Sequence, residues 1–126
     1  MRNEDKAVIE KMIAYCQDIE TLMTRYNRSF EEYQADIAFQ YACSMCLIQI
    51  GELAGRLSEE VRSPEIPWHA IRAMRNLHAH DYENVDLSVV WDTLENDIAD
   101  LKEKLLKMLE LPFDGLGEME KELSEL

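Results

Sequence analysis

The residues best equipped for chemistry gather in one short stretch, "AMRNLHAHDY", Ala73 to Tyr82. All three histidines, His69, His78 and His80, lie within twelve residues, with Arg72 and Arg75 among them and Tyr82 just downstream. A histidine near its ordinary pKa of about 6.5 takes or gives a proton at neutral pH. A guanidinium grips phosphate oxygens bidentately and stabilises the added charge of a pentacoordinate transition state. Together they suit metal-free cleavage of a phosphodiester, above all in RNA, where the 2′-hydroxyl is a built-in nucleophile. The plainer reading stays open: a helix-end histidine, and an arginine that binds carboxylates on neighbouring helices.

Spacing sets a condition on the chemical reading. A helix advances about 100° per residue, so Arg75 and His80, five apart, point about 140° away from each other on one continuous helix. They converge only if the helix ends or bends between them, near Ala79, or if they meet across a dimer axis. The turn-rich "DYENVD" that follows predicts an end close by.

Charge sharpens the contrast. The 126 residues carry a formal net charge of -13, which argues against binding nucleic acid through a general field. From Val61 to His80 there are three arginines against one acid, Glu65, a balance of +2 that leaves -15 on the remainder. A local positive site in an acidic body suits engagement of one phosphate, and DNA coating is not expected.

The elements that must position this site read as helical throughout. Val8, Ile9, Met12, Ile13, Cys16, Ile19, Leu22, Met23 and Tyr26 recur at steps of three and four, an amphipathic stripe. After the break at "YNR", Ser29 and Glu32 match a capping box. A second helix follows, with Phe30, Tyr33, Ile37, Tyr41, Met45, Ile48 and Leu53 as its packing stripe and a central place in the bundle. Gly51 and Gly55, four apart, would let another backbone approach closely. Pro67 suits the first turn of a shorter helix through "WHAIRAMRNLH". Asp86 can cap a fourth helix, whose stripe is Leu87, Val90, Trp91, Leu94, Ile98, Leu101, Leu105 and Met108. "EMEKELSEL" reads as a short acidic helical tail. The expected architecture is all-α: an antiparallel four-helix bundle over residues 1–110 and a C-terminal extension over 111–126.

Cys43 and Cys46 form a C-x-x-C, but inside the apolar run "QYACSMCLIQI"; with Cys16 they read as reduced, buried small hydrophobes. No run of 18 apolar residues and no signal-like start is found, so a cytoplasmic protein without membrane contact is expected.

The segments "QIGELAGRLSEE", "IPWHAIRAMRNLHAHDY" and "VDLSVVWDTLENDIADLKEKL" resemble the HEPN superfamily and, within it, the HepT-like toxins of toxin–antitoxin pairs, over roughly Lys6 to Leu109. The family motif R-x4-H-x-Y is filled by Arg75, His80 and Tyr82, and Asn76 and Asp81 match its usual "RN" and "HDY" pairs. The resemblance implies a helical bundle that dimerises, bringing two motifs into a cleft that cleaves RNA without metal or cofactor. It also implies a partner, a nucleotidyltransferase antitoxin of the MntA type that uses ATP to place AMP on the motif tyrosine, here Tyr82. Arg75 and His80 are then the catalytic pair, with Asn76 and Asp81 in support. His78 falls where the family pattern has no second histidine; it is given at most a supporting part, and a solvent-facing position is expected. His69 reads as a helix-surface residue.

Two other readings compete. A non-catalytic module would bind a nucleotide or partner protein through Arg75 and His80. A metal-dependent phosphohydrolase is prompted by His80-Asp81 and by the H-x-H of His78 and His80, but it lacks the Glu-x-x-His pairing of metal sites in helical bundles.

Overall fold

A computed structural model describes residues 1–110 of the chain; the tail expected over 111–126 lies outside the described residues. Six α-helices account for most of the rest: α1 (Asn3–Arg25), α2 (Phe30–Ala35), α3 (Ile37–Ala54), α4 (Trp68–His80), α5 (Leu87–Asp92) and α6 (Ile98–Glu110). A π-helical turn, Thr93–Asp97, joins α5 to α6 without a loop. The described residues contain no strand, and the all-α bundle is the architecture the periodicity implies.

Neighbouring long helices run antiparallel. The ring of Tyr26, after α1, stacks on Phe39 near the start of α3, with centroids 4.1 Å apart. At the other end the Asp5 carboxylate accepts from Ser58 N and Ser58 Oγ at 3.0 and 2.8 Å. Lys102 on α6 pairs with Glu20 on α1 at 3.1 Å. Between the helices lies one core of Ile9, Met12, Cys16 and Ile19 from α1, Cys43, Leu47 and Ile50 from α3, and Leu101 and Leu105 from α6. Burial of each large aliphatic side chain here contributes about 1.5–3 kcal/mol. The three cysteines are free thiols inside this core. Burial pushes Cys16 and Cys43 up to about 12 and Cys46 up to about 11.

The second helix departs from the expected continuous stripe. It breaks at Asp36, whose backbone is extended (φ -119°, ψ 107°). The Asp36 carboxylate accepts from Ala38 N at 2.8 Å and Phe39 N at 3.3 Å, starting α3 afresh. The Gln40 amide closes the other side, donating to the Tyr33 and Gln34 carbonyls at 2.8 and 3.2 Å. This elbow lets Tyr33 and Phe39 both enter the core, edge to face at 5.1 Å. It also resets the phase of α3. Ile37, Tyr41 and Met45, read as packing residues, are 59%, 54% and 56% exposed. Phe39, Cys43, Cys46, Leu47 and Ile50 pack in their place.

Other local signals behave as chain chemistry dictates. Ser29 Oγ accepts from Glu32 N at 3.2 Å, one half of a capping box. Asn27 and Arg28 take left-handed backbone angles (φ 59° and 50°), which turns the chain out of α1. Asp86 caps α5 through Ser88 N at 3.0 Å. Pro67 lies one residue earlier than expected, as the N-cap of α4. By length and composition α3 is apolar enough to cross a membrane, yet half of it is buried in the bundle, as suits a central core helix.

Candidate active site on helix α4

Helix α4 is held at both ends. At its start the Trp68 indole donates to the Ser63 carbonyl at 2.8 Å. The Arg62 guanidinium donates to the Ala54 and Leu57 carbonyls at 3.3 Å, closing the C-terminal end of α3. At its finish the chain leaves the helix at Asp81 (φ -146°, ψ 40°) and enters a 3-10 turn over Tyr82–Asn84. The Asp81 carboxylate accepts from the Asn84 amide at 2.7 Å.

Gly51 sets how closely α4 approaches α3. A Cβ built there would overlap Arg75 Cβ and lie 2.7 Å from Arg75 Cγ and 3.4 Å from the Ile71 carbonyl oxygen. Only a glycine admits the base of the Arg75 side chain at this point. The guanidinium then folds over α3, where Nε and Nη2 both donate to Glu52 Oε1, Nε at 2.6 Å. Nη1 donates to Asn76 Oδ1 at 2.7 Å. Arg75 therefore does bind a carboxylate of the neighbouring helix.

His80 is the last residue of α4, and it is exposed. The helix ends one residue past Ala79, too late to turn His80 back. Arg75 and His80 sit on one unbroken helix and point about 140° apart. Within one chain they do not converge, so of the two routes to convergence only the dimer axis is left.

The expectation for His78 is overturned. It is buried, 4% exposed, because it lies on the side of α4 that faces α3. Its Nδ1 and the Ser44 hydroxyl share a hydrogen bond of 2.8 Å. Nε2 is buried and has no partner among the described residues. Burial lowers the His78 pKa below the ordinary histidine value, since a charged ring here would lack water. His78 is thus a neutral packing residue. His69 is exposed, as expected.

Tyr82 is half-buried and touches three groups. Its hydroxyl donates to Gln40 Oε1 at 3.4 Å, its ring meets Tyr41 edge-on at 5.6 Å, and the His78 ring lies 5.8 Å away. Gln40 thereby links Tyr82 to the Asp36 elbow. Ser44, Glu52 and Gln40 escaped notice in the sequence. The lone acid Glu52 in an otherwise uncharged α3 was the one available signal. Among the described residues no group of three His, Cys, Asp or Glu side chains is placed to hold a metal ion.

An all-helical bundle with R-x4-H-x-Y at the end of its third long helix defines a class, and residues 12–108 match the family described as Ribonuclease HepT-like. The chain belongs to this family of HEPN ribonucleases. It is 31% identical over 114 residues to "Putative RNase MJ1216" of Methanocaldococcus jannaschii, covering 86% of this chain and 93% of that protein. It is 36% identical over 81 residues to "Probable ribonuclease HepT" of Thermococcus cleftensis, covering 63% of this chain and 74% of that one. No solved structure matches.

Proposed function

We propose that the protein is a metal-independent ribonuclease toxin of a toxin–antitoxin pair. Arg75 and His80 cleave RNA, and a nucleotidyltransferase antitoxin neutralises it by placing AMP on Tyr82. The observation that carries this reading is the intact R-x4-H-x-Y motif, in a chain of the family, with Arg75 and His80 on a helix without a single acidic residue. In the reaction His80 takes the 2′-hydroxyl proton or gives one to the departing 5′-oxygen. Arg75 neutralises the phosphorane, once substrate competes for it with Glu52. AMP on Tyr82, two residues from His80, would put a bulky anion beside the site and repel RNA.

The active form is a homodimer. The divergence of Arg75 and His80 within one chain supports this, and so does an unpartnered apolar face. Ile37, Tyr41 and Met45 are exposed, and Ile48 and Glu52 continue the same side of α3. Tyr41 touches Tyr82, and Glu52 holds Arg75 about 16 Å further along the helix. A two-fold contact with the α3 helices antiparallel brings the Arg75 end of one protomer to the His80 end of its partner.

The test is cleavage of RNA by the purified protein with chelator present. Cleavage should persist, and His80→Ala and Arg75→Ala should each abolish it with far-UV circular dichroism unchanged. Met45→Glu should give monomers and lose activity. Cleavage that requires a divalent ion, or that survives in His80→Ala, would refute the assigned chemistry. Incubation with ATP and the partner should add the mass of AMP to Tyr82; a product unmodified there would reject the proposed control.

A further inference from the structure

The exposed side of α4 carries a second feature beyond the motif. Arg72, Asn76 and His80 are spaced four apart, so they form one row that drifts only about 40° per step and rises about 6 Å between members. All three are exposed. The α4 segment holds two arginines, three histidines and no acid, and it is the one helix among those described with a positive balance. Its two arginines are in different states. Arg75 is spent on Glu52, whereas Arg72 is exposed and enters no ion pair or hydrogen bond among the described residues. Asn76 is oriented as well. Its Oδ1 accepts from Arg75 Nη1, and a guanidinium has only donors, so the Asn76 amide turns its NH2 to solvent. The row therefore offers a cation, an N–H donor and an imidazole, all able to contact phosphate oxygens.

We infer that Arg72, Asn76 and His80 form a track for the RNA backbone along α4, with Arg72 gripping a phosphate beyond the one being cleaved. This rests on the reading that His80 acts on RNA. Arg72 is a binding residue here and takes no part in the chemistry. An acidic protein repels RNA at long range, so capture depends on an unpaired guanidinium beside the site, and Arg72 fills that role while Arg75 is still held by Glu52.

The experiment is fluorescence anisotropy of a labelled 2′-O-methyl RNA oligonucleotide, which lacks the internal nucleophile and binds without being cut. Affinity is measured across a salt series for the full-length protein and its variants. Arg72→Ala should weaken binding several-fold and reduce the slope of log affinity against log salt by about 0.7, the loss of one single-strand phosphate contact. Arg72→Lys should keep the slope, and the charge-matched Lys107→Ala on α6 should change neither quantity. Unchanged affinity and slope in Arg72→Ala, with the parent protein binding, overturn the track alone. A parent protein that binds no RNA overturns the RNA-site reading and the track with it.

Discussion

Replacing Gly51 by alanine tests the contact that places Arg75. In an ordinary helix this change is favourable by about 1 kcal/mol, because glycine has the higher conformational entropy to lose. Here the new methyl meets Arg75 Cβ and Cγ, the rigid base of that side chain, and not its flexible tip. Separating two packed helices by one methyl costs about 1–3 kcal/mol. Gly55→Ala supplies the reference, since a Cβ there meets only backbone oxygens of its own helix, at 3.4 and 3.8 Å. Gly55 is the C-cap residue of α3 in right-handed helical geometry (φ -66°, ψ -16°), so alanine there gains no more propensity than at Gly51, and the difference between the variants is a lower bound on the clash. Gly51→Ala should be less stable than Gly55→Ala by about 1–3 kcal/mol in urea unfolding followed by circular dichroism, with equal m-values. That corresponds to a melting temperature lower by roughly 3–15 °C in a domain of this size. Gly51→Ala should also cleave RNA more slowly, because Arg75 is displaced, while Gly55→Ala should not. Equal stability of the two variants would refute the close approach of α4 to α3.

The remaining predictions concern buried groups. The folded pKa of His78 lies below the ordinary value near 6.5, so the unfolded chain takes up this proton more readily than the folded one. Its contribution to stability is complete above about pH 6.5 and is lost as pH falls below it. His78→Leu should flatten the stability profile between about pH 7 and pH 5, and an unaltered slope would reject the assignment. Ser44→Ala removes the His78 partner and should cost about 1–3 kcal/mol, measured by the same denaturation. The thiols of Cys16, Cys43 and Cys46, all pushed up to about 11 or 12 by burial, should resist iodoacetamide at neutral pH until denaturant is added. Rapid labelling of the native protein would contradict their burial.

Much of this architecture is legible in the residue order, because period and punctuation are local properties. The α1 stripe, the Asp86 cap and the close approach at Gly51 follow from residue type and spacing alone. Asp36 was harder to read, since an aspartate within an apolar helical run looks like a solvated surface residue until its carboxylate is seen capping two amides. That one break shifts the phase of the helix that follows, which is why Ile37, Tyr41 and Met45 are exposed, while Leu53 at the far end is buried as the stripe implies. His78 shows the complementary limit. A polar residue beside a helix end reads as exposed, and only the position of Ser44 on another helix shows that its burial can be satisfied. The motif residues are legible from resemblance. Their separation within one chain follows from the helix continuing through His80.

One side chain joins two places that the chain order keeps far apart. Gln40 receives the Tyr82 hydroxyl through its carbonyl oxygen, while its NH2 group holds the last carbonyls of α2. Any group attached to the Tyr82 oxygen removes that donor and leaves Gln40 Oε1 without its partner. The chemical state of Tyr82 is then written into the hinge between α2 and α3, and amide exchange at Ala38 and Phe39 reports on a tyrosine more than forty residues away.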